Sequence, residues 1–388
     1  MNNFNQLNLS GDSLKILKGL KFENPTPIQE KVIPVALRGN DVMGTAQTGS
    51  GKTLSYILPI IEKLRINVND KFLVLTPTRE LAEQVFSVAK IFLGHGKPFK
   101  AINLIGGKGI FSQINQLKKN PQIIIGTPGR INDLLERKSL GLSKCSVVVL
   151  DEMDRMLDMG FGYQVDKIMK QVNKNRQMIM LSATIPAQIR KVSSKYLNNP
   201  VNISIKNNDV IETNIKQKVI HTIPNEKVNE LIDQIDQRKG SILIFAKTKI
   251  GVDKLVKKLK ANSIKTSALH GGMRQNKRSK IMQNFRDERF RILVATDIAS
   301  RGLDVPHIEH IINYDMPQAP EDFIHRIGRT ARAGSVGEAV SFLTQKDTRI
   351  WRSIERLLNK EESKRKIGNS KNKKRSRSKA KKKVGRRN

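Results

Sequence analysis

Short runs that are apolar throughout recur along the first two hundred residues: Phe72–Leu75, Ile123–Ile125, Val147–Leu150 and Met178–Leu181. Because they do not alternate with polar residues, they predict strands buried on both faces, as in a parallel sheet. Longer stretches with helical spacing lie between them, Glu80 to Phe92 and Val165 to Val172 among others. Strand, loop, helix, strand is the α/β pattern, and it predicts a doubly wound parallel sheet. The pattern restarts with Ile242–Phe245, Ile292–Ala295 and Ile308–Asn313. A polar, Lys/Asn-rich stretch at 206–218 is expected to be the linker between two such domains.

The two halves echo each other. IIIGTPGR at Ile123–Arg130 and ILVATDIASR at Ile292–Arg301 both run from an apolar strand through Thr into a loop that holds Arg. FLVLTPTRE at Phe72–Glu80 and ILIFAKTK at Ile242–Lys249 both run from an apolar strand into a polar loop with Thr. Together they favour two similar α/β domains, expected at 31–205 and 219–362, with 1–30 as a leading region. Residues 363–388 carry 14 Lys and Arg, no acid, and only Ile367, Ala380 and Val384 as apolar residues. That segment cannot bury a core and is expected to be a disordered basic tail.

Composition narrows the function. The formal charge is +36, and removing the tail's 14 still leaves +22. Such an excess points to a polyanionic partner. Aromatic residues are only 5%, which argues against reading single strands mainly by base stacking. Cys145 is the one cysteine, so an internal disulfide and a Cys-cluster metal site are excluded. No apolar run approaches the roughly 18 residues of a membrane span, and MNNFNQLNLS has no secretory pattern. The expectation is a cytoplasmic, non-membrane, monomeric protein that grips nucleic acid through its phosphates.

Three local patterns carry chemistry. Ala46-Gln47-Thr48-Gly49-Ser50-Gly51-Lys52-Thr53 fits a phosphate-binding loop, with Ala46 in the first-glycine position. Small residues let backbone N–H groups wrap phosphates, and a helix starting near Lys52 points its positive end at them. Lys52 would then reach the β and γ phosphates, and Thr53 would hold Mg²⁺. The competing reading is a Gly-rich turn that caps a helix. Second, Val147–Leu150 runs into Asp151-Glu152-Met153-Asp154. Three carboxylates at the end of a buried strand are costly unless a cation is present. Asp151 suits Mg²⁺ binding and Glu152 suits orienting and deprotonating a water; an acidic helix cap is the alternative. Third, Arg326, Arg329 and Arg332 are spaced at three, which on a helix is one face. They would repel unless they met anions such as a γ-phosphate; a solvated basic face is the alternative.

With these patterns in place, residues 4 to 345 resemble the DEAD-box family of ATP-dependent RNA helicases, superfamily 2. Phe22-Glu-Asn-Pro-Thr-Pro-Ile-Gln29 is similar to the family's Q motif, with Phe4 as the isolated upstream aromatic. AQTGSGKT at Ala46, PTREL at Pro77, Gly106-Gly107, TPGR at Thr127, DEMD at Asp151 and SAT at Ser182 follow in order. The second half continues with LIFAKTK at Leu243, HGG at His270, Gln275 to Arg278, ATDIASRGLDV at Ala295 and HRIGRTAR at His325.

The resemblance implies two RecA-like domains, ATP and Mg²⁺ as cofactors, and RNA as partner. Phe22 would stack on adenine and Gln29 would hydrogen-bond its edge, giving preference for ATP. Asp304 would meet the ribose, and Arg329 and Arg332 would act as arginine fingers. Ser182, Thr184, Asp154 and His325 would couple hydrolysis to RNA release. RNA would lie over Pro77, Arg79, Gly107, Thr127, Gly129 and Arg130 on the first domain, and Gly271, Arg278 and Thr296 on the second. These groups suit gripping a sugar-phosphate backbone without reading bases.

Three residues depart from the family pattern: Met153 for Ala, Ala331 for the more usual Gly, and Gly272 where an acid is common. The implied activity is local strand separation or remodelling of RNA–protein complexes, driven by closure and reopening of the two domains. An ATP-timed RNA clamp or annealing protein, and a DNA helicase, are the alternatives. The basic tail is expected to add RNA affinity, with a targeting signal as the competing role.

Overall fold

The computed structural model describes residues 3–46, 49–94, 99–205, 215–300, 305, 307–331 and 336–358, apart from the side chains of Ile298 and Ser300. Gln47, Thr48, Asp304, Arg332, the 206–214 part of the expected linker and the basic tail lie outside the described residues. The chain divides into two compact units. One takes Met1–Val210, Gly272–Gln283 and Ile298–Asp304; the other takes Ile211–Gly271, Asn284–Asp297 and Val305–Asn388.

The first unit holds seven strands: β1 (Val42–Thr45), β2 (Lys71–Leu75), β3 (Ala101–Leu104), β4 (Ile123–Gly126), β5 (Cys145–Leu150), β6 (Gln177–Ser182) and β7 (Val201–Ser204). They form one sheet in the order β3-β4-β2-β5-β6-β1-β7, with every pairing parallel. The apolar runs seen in sequence are its inner strands. Phe72 to Leu75 and Val148 to Leu150 are fully buried, because helices cover both faces. One face packs Val32, Ile57, Ile61 and Val85; the other packs Leu134, Met156 and Ile168. Met153 joins the second cluster, so the departure from Ala fills core space. Phe4 is also core, 2% exposed among Leu7, Leu17 and Leu64.

The second unit holds β8 (Ile215–His221), β9 (Ser241–Phe245), β10 (Thr266–Leu269), β11 (Ile292–Ala295), β12 (Ile308–Asn313) and β13 (Gly337–Leu343). Their order is β10-β11-β9-β12-β13-β8, again wholly parallel. One boundary needs correcting. Residues 215–218, expected in the linker, are the start of β8, which pairs with β13 from Gly337↔Ile215 onward. β8 ends the sheet order and buries only Ile215 fully, so its outward residues are polar and read as linker.

Two N-caps set where helices begin. Thr78 accepts from Leu81 N at 3.2 Å to start the helix Arg79–Leu93, and Thr248 accepts from Gly251 N at 2.9 Å to start Lys249–Ala261. Among the described residues no helix is long and apolar enough to cross a membrane.

Candidate functional site

In the first sheet Thr45 lies opposite Ser182, and Leu75 lies between Leu150 and Gly126. The loops after β1, β2, β4, β5 and β6 therefore leave from one edge, the carboxyl end, where α/β sheets bind ligands. That edge gathers Ala46, Gly49 to Thr53, Pro77 and Arg79, Thr127 to Arg130, Asp151 to Asp154, and Ser182 to Thr184.

The helix Lys52–Ile66 begins directly after Gly51, which sits at φ +86°. A Cβ there would meet Gln29 Nε2 at 2.4 Å, so glycine is required for both conformation and space. Gln29 Nε2 donates to Gly51 O at 2.9 Å, while Gln29 Oε1 accepts from Thr26 N at 2.9 Å. Its amide thus ties the first turn of the helix Pro27–Leu37 to the phosphate loop and keeps one N–H for a ligand. Phe22 is 47% exposed, an uncommon setting for so large an apolar ring. Lys52 is buried and folds back to donate to Ala46 O at 2.8 Å.

Asp151 and Glu152 are buried at the end of β5. Burial pushes the Asp151 carboxyl up to about 6, against the Lys52 charge, which favours ionisation. Asp151 Oδ1 has no hydrogen-bond partner, whereas Oδ2 accepts from the Tyr56 hydroxyl at 2.8 Å. Burial and the neighbouring Asp151 charge keep that hydroxyl protonated, raising Tyr56 well above an ordinary phenol. Glu152 occupies the left-handed region at φ 51°, where few non-glycine residues settle. Such strain persists where the surroundings hold it, commonly at a working site. Its Oε2 lies 3.5 Å from the buried Arg155 Nε and makes no hydrogen bond.

Asp154 faces β6. Its Oδ2 accepts from Ala183 N at 3.0 Å, Thr184 N at 3.0 Å and Thr184 Oγ1 at 3.3 Å, while Ser182 Oγ donates to Thr184 O at 2.7 Å. On the neighbouring loops Arg79 presses on the two glycines: a Cβ at Gly107, itself at φ +81°, would meet Arg79 Nη1 at 2.6 Å. Arg130 donates to Lys108 O at 3.1 Å. Gly129 is exposed, and Pro77 and Thr127 are buried. Within the same unit Arg278 is buried against Glu80 at 2.8 Å.

The second sheet uses the same edge. Gly271 is exposed just after β10, and Thr296 N donates to Leu269 O at 3.2 Å. The expected helical face of three arginines is not what forms. The helix Pro320–Ile327 ends before Arg329, so only Arg326 lies on it. Arg326 is buried and paired through two nitrogens with Asp297 at 2.6 and 2.7 Å, over the Phe245 ring. It also donates to Asn313 Oδ1 and Asp315 O, so this arginine is consumed inside the fold. Arg329 follows the turn and donates to His325 O at 3.2 Å; His325 is half-buried. Ala331 sits at φ 54°, which explains why glycine suits this position.

Two contributors have no motif of their own. Tyr56 was discoverable only as the residue one turn beyond Thr53, and Arg155 only as the residue one turn beyond Glu152.

Residues 26–192 match the DEAD/DEAH box helicase family, and residues 225–334 the helicase conserved C-terminal domain. Over 354 residues the chain is 38% identical to the DEAD-box ATP-dependent RNA helicase CshA of Bacillus subtilis (strain 168), covering 91% of this chain and 72% of that one. The chain belongs to the DEAD-box ATP-dependent RNA helicases. The Geobacillus kaustophilus CshA is 40% identical over 358 residues, 92% of this chain and 76% of the relative. Among solved structures, S. cerevisiae Dbp5 bound to RNA and ADP BeF3 matches with TM-score 0.81 at 30% identity, covering 92% of this chain and 93% of that one. Mss116p bound to ssRNA and AMP-PNP matches with TM-score 0.84 at 28% identity, covering 91% and 77%. As a DEAD-box helicase the chain is an ATP-hydrolysing enzyme, and its two sheets are RecA-like domains.

Proposed function

We propose that this DEAD-box helicase hydrolyses ATP at the carboxyl edge of its first sheet. The hydrolysis drives local separation of RNA duplexes or remodelling of RNA–protein complexes, through closure and release of the two domains on the RNA backbone. The observation that carries this reading is the hydrogen-bonded link from the acidic loop to the Ser182–Thr184 loop through Asp154. Carboxylates placed for hydrolysis are thereby tied to a second loop that can register the state of the nucleotide.

The phosphate loop from Ala46 to Thr53, Gln47 and Thr48 included, cradles the phosphates, with Lys52 turning from Ala46 O toward them. Phe22 and Gln29 hold adenine, and Asp304 holds the ribose. Thr53 and Asp151 suit Mg²⁺, because the buried Asp151 Oδ1 has no hydrogen-bond partner and a hard cation takes oxygen ligands. Bound there, Mg²⁺ supplies positive charge against the phosphate oxygens. Glu152 orients the attacking water and takes its proton. Arg329 and Arg332 are the cations offered to the transferring phosphate. Ser182, Thr184, Asp154 and His325 pass the change in the nucleotide to RNA release.

RNA runs over Pro77, Arg79, Gly107, Thr127, Gly129 and Arg130, and over Gly271, Arg278 and Thr296. The basic tail adds affinity. We place the protein in the cytoplasm and take it to work as a monomer. The test compares ATPase stimulation by RNA and by DNA, alongside strand-separation and annealing assays. RNA-specific stimulation with ATP-dependent strand separation is expected; annealing without separation would instead make it an RNA clamp.

A further inference from the structure

Tyr56 lies one turn beyond Thr53 in the helix Lys52–Ile66, with its ring fully buried. Packing accounts for the ring but not for the hydroxyl, which phenylalanine would omit. Burying a hydroxyl is costly unless it is hydrogen-bonded. This one is hydrogen-bonded: it donates to Asp151 Oδ2 at 2.8 Å.

Asp151, engaged at Oδ2, presents Oδ1, which has no hydrogen-bond partner. Tyr56 and Asp151 come from separate elements, the helix after β1 and the end of β5, and this hydrogen bond joins them.

We infer that Tyr56 is a positioning residue that sets Asp151 as an oxygen ligand for the Mg²⁺ accompanying ATP. The inference rests on the ATPase reading above. Groups that orient metal ligands typically contribute about 10- to 100-fold in metal affinity when removed.

The test is Tyr56→Phe in the full chain, which keeps the ring and removes the hydroxyl. Affinity for a fluorescent ADP is measured in EDTA and at saturating Mg²⁺, and the ratio gives the metal's contribution. The expected result is a ratio about tenfold smaller than wild type, with affinity in EDTA and the melting temperature nearly unchanged. In an Asp151→Asn background the same substitution should change the ratio no further, because the two residues act as one unit. An unchanged ratio in Tyr56→Phe, or an equal loss with and without Mg²⁺, would overturn the inference and leave Tyr56 as packing. A wild-type protein whose nucleotide affinity ignores Mg²⁺ would undo the magnesium reading itself, which is a separate failure.

Discussion

Asp154 holds Thr184 twice through one oxygen, accepting its backbone N–H at 3.0 Å and its hydroxyl at 3.3 Å. The backbone bond survives any side-chain change at Thr184, so the hydroxyl can be tested alone. Thr184→Val removes the longer bond and keeps the branched shape. RNA-stimulated ATP turnover should stay within about threefold of wild type, while strand separation falls about tenfold or more. Both rates are read on one preparation. Equal losses in the two assays would show that Thr184 serves the chemistry itself and not its coupling.

Glu152 is held in a left-handed backbone conformation with its carboxylate near Arg155. Glu152→Gln keeps the shape and removes the proton acceptor. ATP and RNA should still bind together, with turnover reduced by at least ~10²-fold. Near-normal RNA-stimulated ATPase in this variant would remove Glu152 from the role of base.

Gln29 has a more entangled position than an adenine contact alone implies, since its amide already bonds Gly51 O and Thr26 N. Gln29→Ala should therefore weaken every nucleotide somewhat by loosening the loop, and ATP most of all. Discrimination against GTP relaxes when a group that reads a base edge is removed. The ratio of ATP to GTP affinity isolates the second effect from the first. A ratio equal to that of wild type would leave Gln29 as a tie between helix and loop.

The architecture was legible where strands are buried on both faces, because Val147–Leu150 or Ile292–Ala295 can then be nothing but apolar. Strands that escaped notice have physical reasons to read otherwise. In β1 a Cβ at Gly44 would meet Leu181 Cδ2 at 2.5 Å, so packing demands a residue that in sequence resembles a turn. β8 lies at the end of the sheet and is mostly polar, and β13 carries Glu338 and Ser341 among its apolar residues. At the site, Lys52, Asp151 and Glu152 were visible because loop chemistry is local. Tyr56 and Asp151 are 95 positions apart, and Arg326 and Asp297 are 29 apart. No window of sequence joins such partners. The arginine spacing misled for a related reason: the helix stops at Ile327, so a period of three does not stay on one face.

Glu338 gives the second domain a pH signature. Arg238 grips its carboxylate through Nε and Nη2, both at 2.8 Å, and His310 Nδ1 lies 3.3 Å away. The Arg238 hydrogen bonds hold Glu338 below the usual glutamate range, with partial burial opposing them and the Arg238 and His310 charges assisting. A carboxylate depressed in the folded state contributes stability above its unfolded pKa of about 4.3, and that stability is lost as pH falls through the folded value. Glu338→Gln should therefore cost on the order of 1–2 kcal/mol at neutral pH. As pH falls below about 4.3 the gap should shrink, closing once pH is below the folded value, where both proteins carry a neutral side chain. Melting temperatures of the two proteins across this range read the effect. A gap independent of pH would assign the interaction to shape rather than charge.

The tail is predicted from sequence alone. Residues 363–388 carry 14 positive charges and no acid, so they should bind RNA mainly by displacing condensed counterions. For single strands the salt slope is about −0.7 per phosphate neutralised. Even with about half the charges engaged, truncation after Glu362 should flatten that slope by several units and weaken RNA binding at low salt. Every residue assigned to ATP lies before Ser363, so turnover at saturating RNA should hardly change, and the loss should appear in the RNA concentration needed to reach it. A tail that only improves solubility or directs the protein to a compartment predicts something different. In that case RNA titrations at several salt concentrations would give the same affinities and slopes with and without it, and the tether would be ruled out.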